Sequence, residues 1–102
     1  MNGKQLSDAA VELAHLRGYM VAHFTNVQDA RGFYRTSFAY DAKGFPDLIL
    51  VGPKVVAIEA KGDSDRISIE QKRWLEAFER AGVQTLVLTT KAYRLGALEN
   101  LL

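Results

Sequence analysis

Two apolar segments in the middle of the chain, residues 47–51 and 55–61, are separated by only three residues, Gly52, Pro53 and Lys54. Both segments are short and rich in aliphatic side chains, which is typical of strands, and the glycine and proline between them favour a tight turn. We therefore predict an antiparallel hairpin. An isolated hairpin is at best marginally stable in water, so other elements must pack around this one.

Three chemically reactive side chains meet at the open end of the predicted hairpin. Side chains alternate across a strand, so Glu59 and Lys61 share one face at the end of the second strand. Asp47 begins the first strand and lies opposite that end. An acid and a base at the end of an apolar strand are costly to bury unless they pair or bind a ligand. The sequence therefore predicts that two carboxylates and one ammonium group converge.

This combination is suited to metal-assisted hydrolysis of a phosphodiester. Mg²⁺ and Mn²⁺ prefer oxygen ligands, and they lower the pKa of an attacking water and offset charge on the phosphate. Lys61 would hold the attacking water or the scissile phosphate. Each residue also has a structural explanation, because Asp47 after Pro46 suits a turn and Glu59 and Lys61 suit a solvated edge strand. The three residues together favour the functional interpretation.

Periodicity and capping residues predict the elements on either side of the hairpin. They are a first helix capped by Ser7 and ending near Arg17, a strand at 19–24, a helix at 68–81 stopped by Gly82, a strand at 84–90, and a weaker helix at 91–102 with a stripe of Leu95, Leu98 and Leu102. The order is α, β, loop, β, β, α, β, α. It predicts an α/β fold with a mixed sheet flanked by helices, in which the strands before and after the 68–81 helix are parallel.

Residues 25–45 show no sustained periodicity, and we predict a long loop, with a short strand at residues 36–40 as an option. Arg31, Arg35 and Lys43 alternate there with several aromatic residues. Cations interleaved with rings are typical of nucleic-acid surfaces. A hairpin whose rings cover the edge of the core explains the same residues equally well.

Composition narrows the class of protein without naming a function. A chain of 102 residues suits one domain, residues 1–102, and a net charge of +1 means that DNA binding depends on local clusters of basic residues. There are no cysteines, which excludes disulfides, thiolate metal sites and thiol catalysis. The sequence has no apolar run of signal-peptide or membrane-spanning length. The expectation is a bacterial or phage-encoded protein in the reducing bacterial cytoplasm.

Three segments carry a family resemblance: GFPDLILV, VVAIEAK and SIEQKRWLEAFERAG. Together they resemble the VRR-NUC branch of the PD-(D/E)XK nuclease superfamily, over residues 44–90. The resemblance implies a restriction-endonuclease-like core. It makes Asp47, Glu59 and the backbone carbonyl of Ala60 metal ligands, gives Lys61 the catalytic role, and places Gln71 beside the site. Ser68 and Gln71 are also spaced as a capping box, which explains the glutamine by helix initiation alone. Both explanations can hold together.

The resemblance further implies a Mg²⁺- or Mn²⁺-dependent DNA endonuclease, similar to Holliday junction resolvases of phage and bacterial replication and repair. Symmetric cutting of a junction by one centre per chain implies a homodimer. The expected DNA contacts are Arg31, Arg35, Lys43, Arg66 and Lys72. Family members commonly carry a glutamate in the first helix, whereas this chain offers only Asp8 or Glu12, so a second metal is not assigned. A catalytically silent DNA-binding module with the same fold is the alternative.

Overall fold

The predicted hairpin forms the centre of a four-stranded sheet. The computed structural model describes residues 1–24, the backbone of 27–28 and 34–35, and residues 40–102. Its elements are α1 (Gly3–Leu16), β1 (Met20–His23), β2 (Val27–Gln28), β3 (Tyr34–Arg35), β4 (Leu48–Val51), β5 (Val55–Ala60), α2 (Ile69–Arg80), β6 (Gln84–Leu88), α3 (Thr90–Arg94) and α4 (Ala97–Leu101). The predicted α/β class is confirmed.

The strand order in the main sheet is β1-β4-β5-β6. Strands β4 and β5 are antiparallel, with Leu48 opposite Ile58 and Val51 opposite Val55, as the Gly-Pro turn predicts. Strand β6 is parallel to β5, as expected for a β-α-β unit. Because β1 adds to β4 in the antiparallel sense, the sheet is mixed.

The main core lies between the sheet and α1. Leu50 and Val56 are opposite each other in β4 and β5 and are fully buried on this face. Helix α1 covers them with a stripe of small and apolar side chains. The stripe consists of Leu6, Ala10 and Ala14, all fully buried. Helix α2 packs on the opposite face, over β5 and β6, so a side chain of β5 that points away from α1 points towards α2.

Helix α1 begins five residues earlier than predicted, because its N-cap is Asn2 rather than Ser7. The Asn2 side chain accepts a hydrogen bond from the Gln5 backbone at 2.8 Å, and the Gln5 side chain accepts one from the Asn2 backbone at 2.9 Å. This is a complete capping box. Ser7 lies inside the helix and is 4% exposed.

The predicted final helix at 91–102 is wrong, since the segment forms two short helices, α3 and α4. Gly96 interrupts them with a left-handed backbone (φ +78°), which ends α3 and starts α4. The predicted leucine stripe therefore does not form. Leu98 is 1% exposed in the core, whereas Leu95 is 71% exposed.

The predicted structureless loop at 25–45 contains a small antiparallel sheet made by β2 and β3. This pairing agrees with the hairpin of the alternative interpretation, whereas the rings of residues 33, 34 and 38, which that interpretation places over the edge of the core, lie outside the described residues. The optional strand at 36–40 is not confirmed, because residues 36–39 lie outside the described residues and Tyr40 lies in a turn. None of the helices in the described part of the chain has the length and apolar character needed to span a bilayer.

Candidate active site

Asp47 and Glu59 face each other across the hairpin. Asp47 directly precedes β4, and the pairing of Leu48 with Ile58 places it opposite Glu59. The Asp47 carboxylate accepts a hydrogen bond from the Ala60 backbone N–H at 3.0 Å through Oδ2. Within a strand, the N–H and C=O of one residue point the same way, so the Ala60 carbonyl also points towards the Asp47 side.

The Glu59 carboxylate is almost fully buried, with 2% of the residue exposed. Its Oε1 accepts a hydrogen bond from Gln71 Nε2 at 2.9 Å and lies 3.6 Å from Lys61 Nζ. Its Oε2 is buried and has no hydrogen-bond partner among the described residues. A buried carboxylate oxygen without a partner is costly, so this atom is where a ligand would compensate.

Burial raises the pKa of Glu59 to about 8. The negative charge of Asp47 adds to this increase, and the positive charge of Lys61 opposes it. The Asp47 and Glu59 carboxylates are therefore held close together at an electrostatic cost, which a bound cation would offset. This is the electrostatic pattern expected of a functional site rather than of a structural ion pair.

We predict that the metal-free protein loses stability as the pH rises from about 4.5 to about 8. The folded-state pKa of Glu59 lies above the ordinary value of 4.5, so its contribution is fully present below that value and is lost as the pH rises through about 8. In EDTA, the Tm is expected to be lower at about pH 8.5 than at about pH 5, and each kcal/mol corresponds to about 4–8 °C.

The matched control is Glu59→Gln, which removes the titrating group and keeps the shape of the side chain. Its Tm should depend much less on pH over the same interval, measured by circular dichroism in the same buffers. An equal pH dependence in the wild type and in Glu59→Gln would contradict the prediction.

Lys61 continues the course of β5 by one residue. Its backbone N–H donates to the Leu88 carbonyl at 2.9 Å, which extends the parallel pairing with β6. This fixes the backbone from which the lysine side chain projects. The side chain is 17% exposed, and its Nζ lies at ion-pair distance from Glu59 Oε1, 3.6 Å away.

Gln71 takes part in both arrangements that its position in the sequence suggested. Ser68 is the N-cap of α2, and the Ser68 and Gln71 side chains each accept a hydrogen bond from the other residue's backbone N–H. At the same time the Gln71 amide donates to Glu59. The start of α2 and the candidate site are thus joined by one side chain.

Sequence reasoning missed the role of Gly44. Its backbone is left-handed (φ +85°), and a Cβ built on it would lie 2.5 Å from the Glu70 carbonyl carbon and 2.6 Å from the Gln71 nitrogen. The adjacent Lys43 forms an ion pair with Glu70 at 3.3 Å. The segment before Asp47 is therefore packed directly on the first turn of α2. The only sequence signal was the glycine beside the Phe-Pro-Asp run.

The predicted DNA contacts are only partly within the described residues. Lys43, Arg66 and Lys72 are exposed, and Lys43 is paired with Glu70. Arg31 and the side chain of Arg35 lie outside the described residues. The five residues remain predicted DNA contacts.

The first helix directs its acids away from the site. Asp8 and Glu12 are exposed, and Asp8 pairs with Lys4 at 2.8 Å. The face that meets β5 carries Gly3, where a Cβ would lie 3.8 Å from the Ala60 carbonyl oxygen. Among the described residues, no three acidic or histidine side chains are grouped so that they could hold a metal ion. The oxygen donors near the hairpin end are Asp47, Glu59 and the Ala60 carbonyl.

A mixed sheet flanked by helices, whose central hairpin brings two carboxylates face to face, is the arrangement of a restriction-endonuclease-like fold. The chain belongs to the VRR-NUC family, because the profile of the VRR-NUC domain matches residues 4–92. The resemblance inferred from the sequence motifs is confirmed.

Two curated relatives are similar to part of the chain. The Fanconi-associated nuclease 1 homolog of Caenorhabditis elegans is 43% identical over 47 residues, which are 43% of this chain and 5% of that protein. The homolog of Caenorhabditis briggsae is 42% identical over 52 residues, which are 48% of this chain and 6% of that protein. The chain thus matches only about a twentieth of the length of these relatives. No solved structure gave a significant match.

Proposed function

We propose that this chain is a Mg²⁺- or Mn²⁺-dependent endonuclease that hydrolyses phosphodiester bonds in DNA. The observation that carries the proposal is the buried Glu59 Oε2, which has no partner among the described residues and lies on a carboxylate facing Asp47. Two carboxylates and one carbonyl are hard oxygen donors, which suit these two cations. The residues present therefore fit the ion that the family implies.

Asp47, Glu59 and the Ala60 carbonyl would hold the ion. When bound, it supplies positive charge that lowers the pKa of the attacking water and offsets the charge of the phosphate. Lys61 reaches the edge of the same site and contacts the scissile phosphate or the attacking water with its ammonium group. Asp47 is held in place by the Ala60 N–H, and Glu59 by Gln71. Fixed ligands of this kind lower the reorganisation that cleavage requires.

We further propose that the preferred substrate is branched DNA, such as a four-way junction, in bacterial or phage replication and repair. The resemblance to small phage and bacterial family members supports this substrate, and both nematode relatives are named as nucleases. With one centre per chain, paired cuts on a symmetric junction require a homodimer. Lys43, Arg66 and Lys72, together with Arg31 and Arg35, are the proposed contacts to phosphates.

Cleavage assays test the whole proposal. Labelled four-way junction, flap, single-stranded and duplex DNA would be incubated with the protein in Mg²⁺, Mn²⁺ or EDTA. We expect cleavage only with a divalent ion, fastest on the junction, with two symmetry-related nicks. Asp47→Asn is expected to reduce the rate by about 10²-fold or more, because it removes a charged ligand.

A catalytically silent DNA-binding module is the competing function. It predicts that all the DNAs are bound and none is cut with any ion. Cleavage that persists in EDTA, or an Asp47→Asn variant as active as the wild type, would contradict the metal-dependent mechanism. Equal rates of cleavage of duplex and junction DNA would be consistent with a nuclease but would contradict the proposed preference for branched DNA.

A further inference from the structure

The hydrogen-bond partners of the Gln71 side chain determine which of its two amide atoms is the oxygen and which is the nitrogen. The Ser68 backbone N–H can only donate, and it lies 2.8 Å from one of these atoms, which must therefore be the oxygen Oε1. The other atom is then the nitrogen Nε2, which lies 2.9 Å from Glu59 Oε1. The capping box at the start of α2 thus determines which end of the amide faces Glu59.

This assignment makes the two oxygens of Glu59 different. An amide NH₂ group can only donate, so Glu59 Oε1 is held as an acceptor. The ammonium group of Lys61 is also near Oε1, at 3.6 Å. The second oxygen, Oε2, is buried and lacks a partner within the described part of the chain. The amide donor of Gln71 and the ammonium group of Lys61 therefore both approach the same oxygen, Oε1.

We propose that Gln71 is a positioning residue that holds Glu59 Oε1 and leaves Oε2 facing the divalent cation. The inference rests on the proposed function, since it deepens the role of the same metal centre. Gln71 acts through Glu59 and does not contact the ion. Its cap on α2 keeps the amide from turning over, so the start of the helix determines the geometry of the metal ligand.

The test is the affinity of the metal-free protein for Mn²⁺, measured by electron paramagnetic resonance without DNA. Gln71→Met and Gln71→Asn both remove the donor at Glu59, and each is expected to weaken Mn²⁺ binding by about 10- to 100-fold. Ser68→Ala is the matched control. It removes one half of the capping box, the acceptor for the Gln71 N–H at 3.1 Å, and keeps the Gln71 amide in place.

A purely structural role for Gln71 is distinguished by comparing Tm with Mn²⁺ affinity. Both Ser68→Ala and Gln71→Met lose part of the helix cap, so both should lower the Tm of the metal-free protein by several degrees whichever role Gln71 has. If Gln71 acts on the metal centre, only the Gln71 variants bind Mn²⁺ more weakly. Equal Mn²⁺ affinity in wild type, Ser68→Ala and both Gln71 variants would overturn the inference.

A double-mutant cycle tests whether the effect passes through Glu59. Adding Gln71→Met to a Glu59→Gln protein should change Mn²⁺ affinity by no more than about twofold, because the oxygen that Gln71 holds has lost its charge. If the effects of the two substitutions on Mn²⁺ affinity are fully additive, the inference about Gln71 is overturned, whereas the proposed metal centre is not. If the wild type binds no Mn²⁺ at all, both the proposed function and the inference about Gln71 fail. If the wild type binds Mn²⁺ and the Gln71 variants bind it equally well, only the inference fails.

Discussion

Replacing Lys61 with methionine is expected to slow DNA cleavage by about 10²- to 10³-fold, the usual cost of losing one group that stabilises charge in the transition state. The methionine fills a similar volume beside Glu59 and removes only the ammonium group. The Lys61 backbone N–H still donates to Leu88, so the sheet is retained. Mn²⁺ affinity should not fall, because the lost charge repelled the cation.

The measurement is a single-turnover rate with enzyme in excess over labelled junction DNA, which separates chemistry from DNA binding. Lys91→Met is the control, since Lys91 is an exposed lysine on α3 to which we assign no role. Its rate should equal that of the wild type. A Lys61→Met protein that cuts within about a factor of ten of the wild type would contradict a chemical role for this lysine.

The centre of the site could be predicted from the sequence because its geometry is local. A three-residue Gly-Pro-Lys turn sets the register of β4 and β5, and the register places Asp47 opposite Glu59. Side-chain alternation then puts Glu59 and Lys61 on the same face. No information from distant parts of the chain was needed for these three residues. The parallel placement of β6 followed from the intervening helix in the same way.

The wrong predictions concern choices between residues that are nearly equivalent locally. Asn2 and Ser7 are both good N-caps, and the decision depended on Gln5, whose side chain completes the box with Asn2. The apolar spacing at the end of the chain suits one continuous helix. Gly96 interrupts it with a left-handed backbone, and on either side of the break Leu98 is buried in the core while Leu95 is exposed. Tertiary packing decided this, and packing is not visible in a helical period.

The packing of Gly44 on α2 could not be predicted, because the two residues it contacts lie more than twenty positions further along the chain. The sequence shows where a glycine could adopt a left-handed backbone, but it does not show which atoms of the folded protein pack against that glycine. The same limitation applies to Gln71, for which the sequence suggested a helix cap and a site neighbour. The structure adds the distances at which both hold at once.

Replacing Gly44 with alanine is expected to destabilise the protein well beyond the usual cost of a left-handed alanine. That cost alone is about 1–2 kcal/mol, because a Cβ crowds the following carbonyl oxygen at positive φ. At Gly44 the new Cβ would also lie 2.5–2.6 Å from backbone atoms of Glu70 and Gln71, which cannot rotate away. Forcing such a contact typically adds about 1–3 kcal/mol.

Gly82→Ala separates the two contributions. Gly82 has nearly the same backbone, φ +84° against +85° at Gly44, and a Cβ there has no neighbour within 4 Å. Urea unfolding should therefore show the left-handed cost alone for Gly82→Ala and a clearly larger loss for Gly44→Ala. Equal losses of stability would mean that the first turn of α2 moves aside without cost.

Because relief of the clash displaces Gln71, Gly44→Ala should also weaken Mn²⁺ binding, whereas Gly82→Ala should not. A Gly44→Ala protein that is destabilised and binds Mn²⁺ normally would show that the contact stabilises the fold without orienting Glu59.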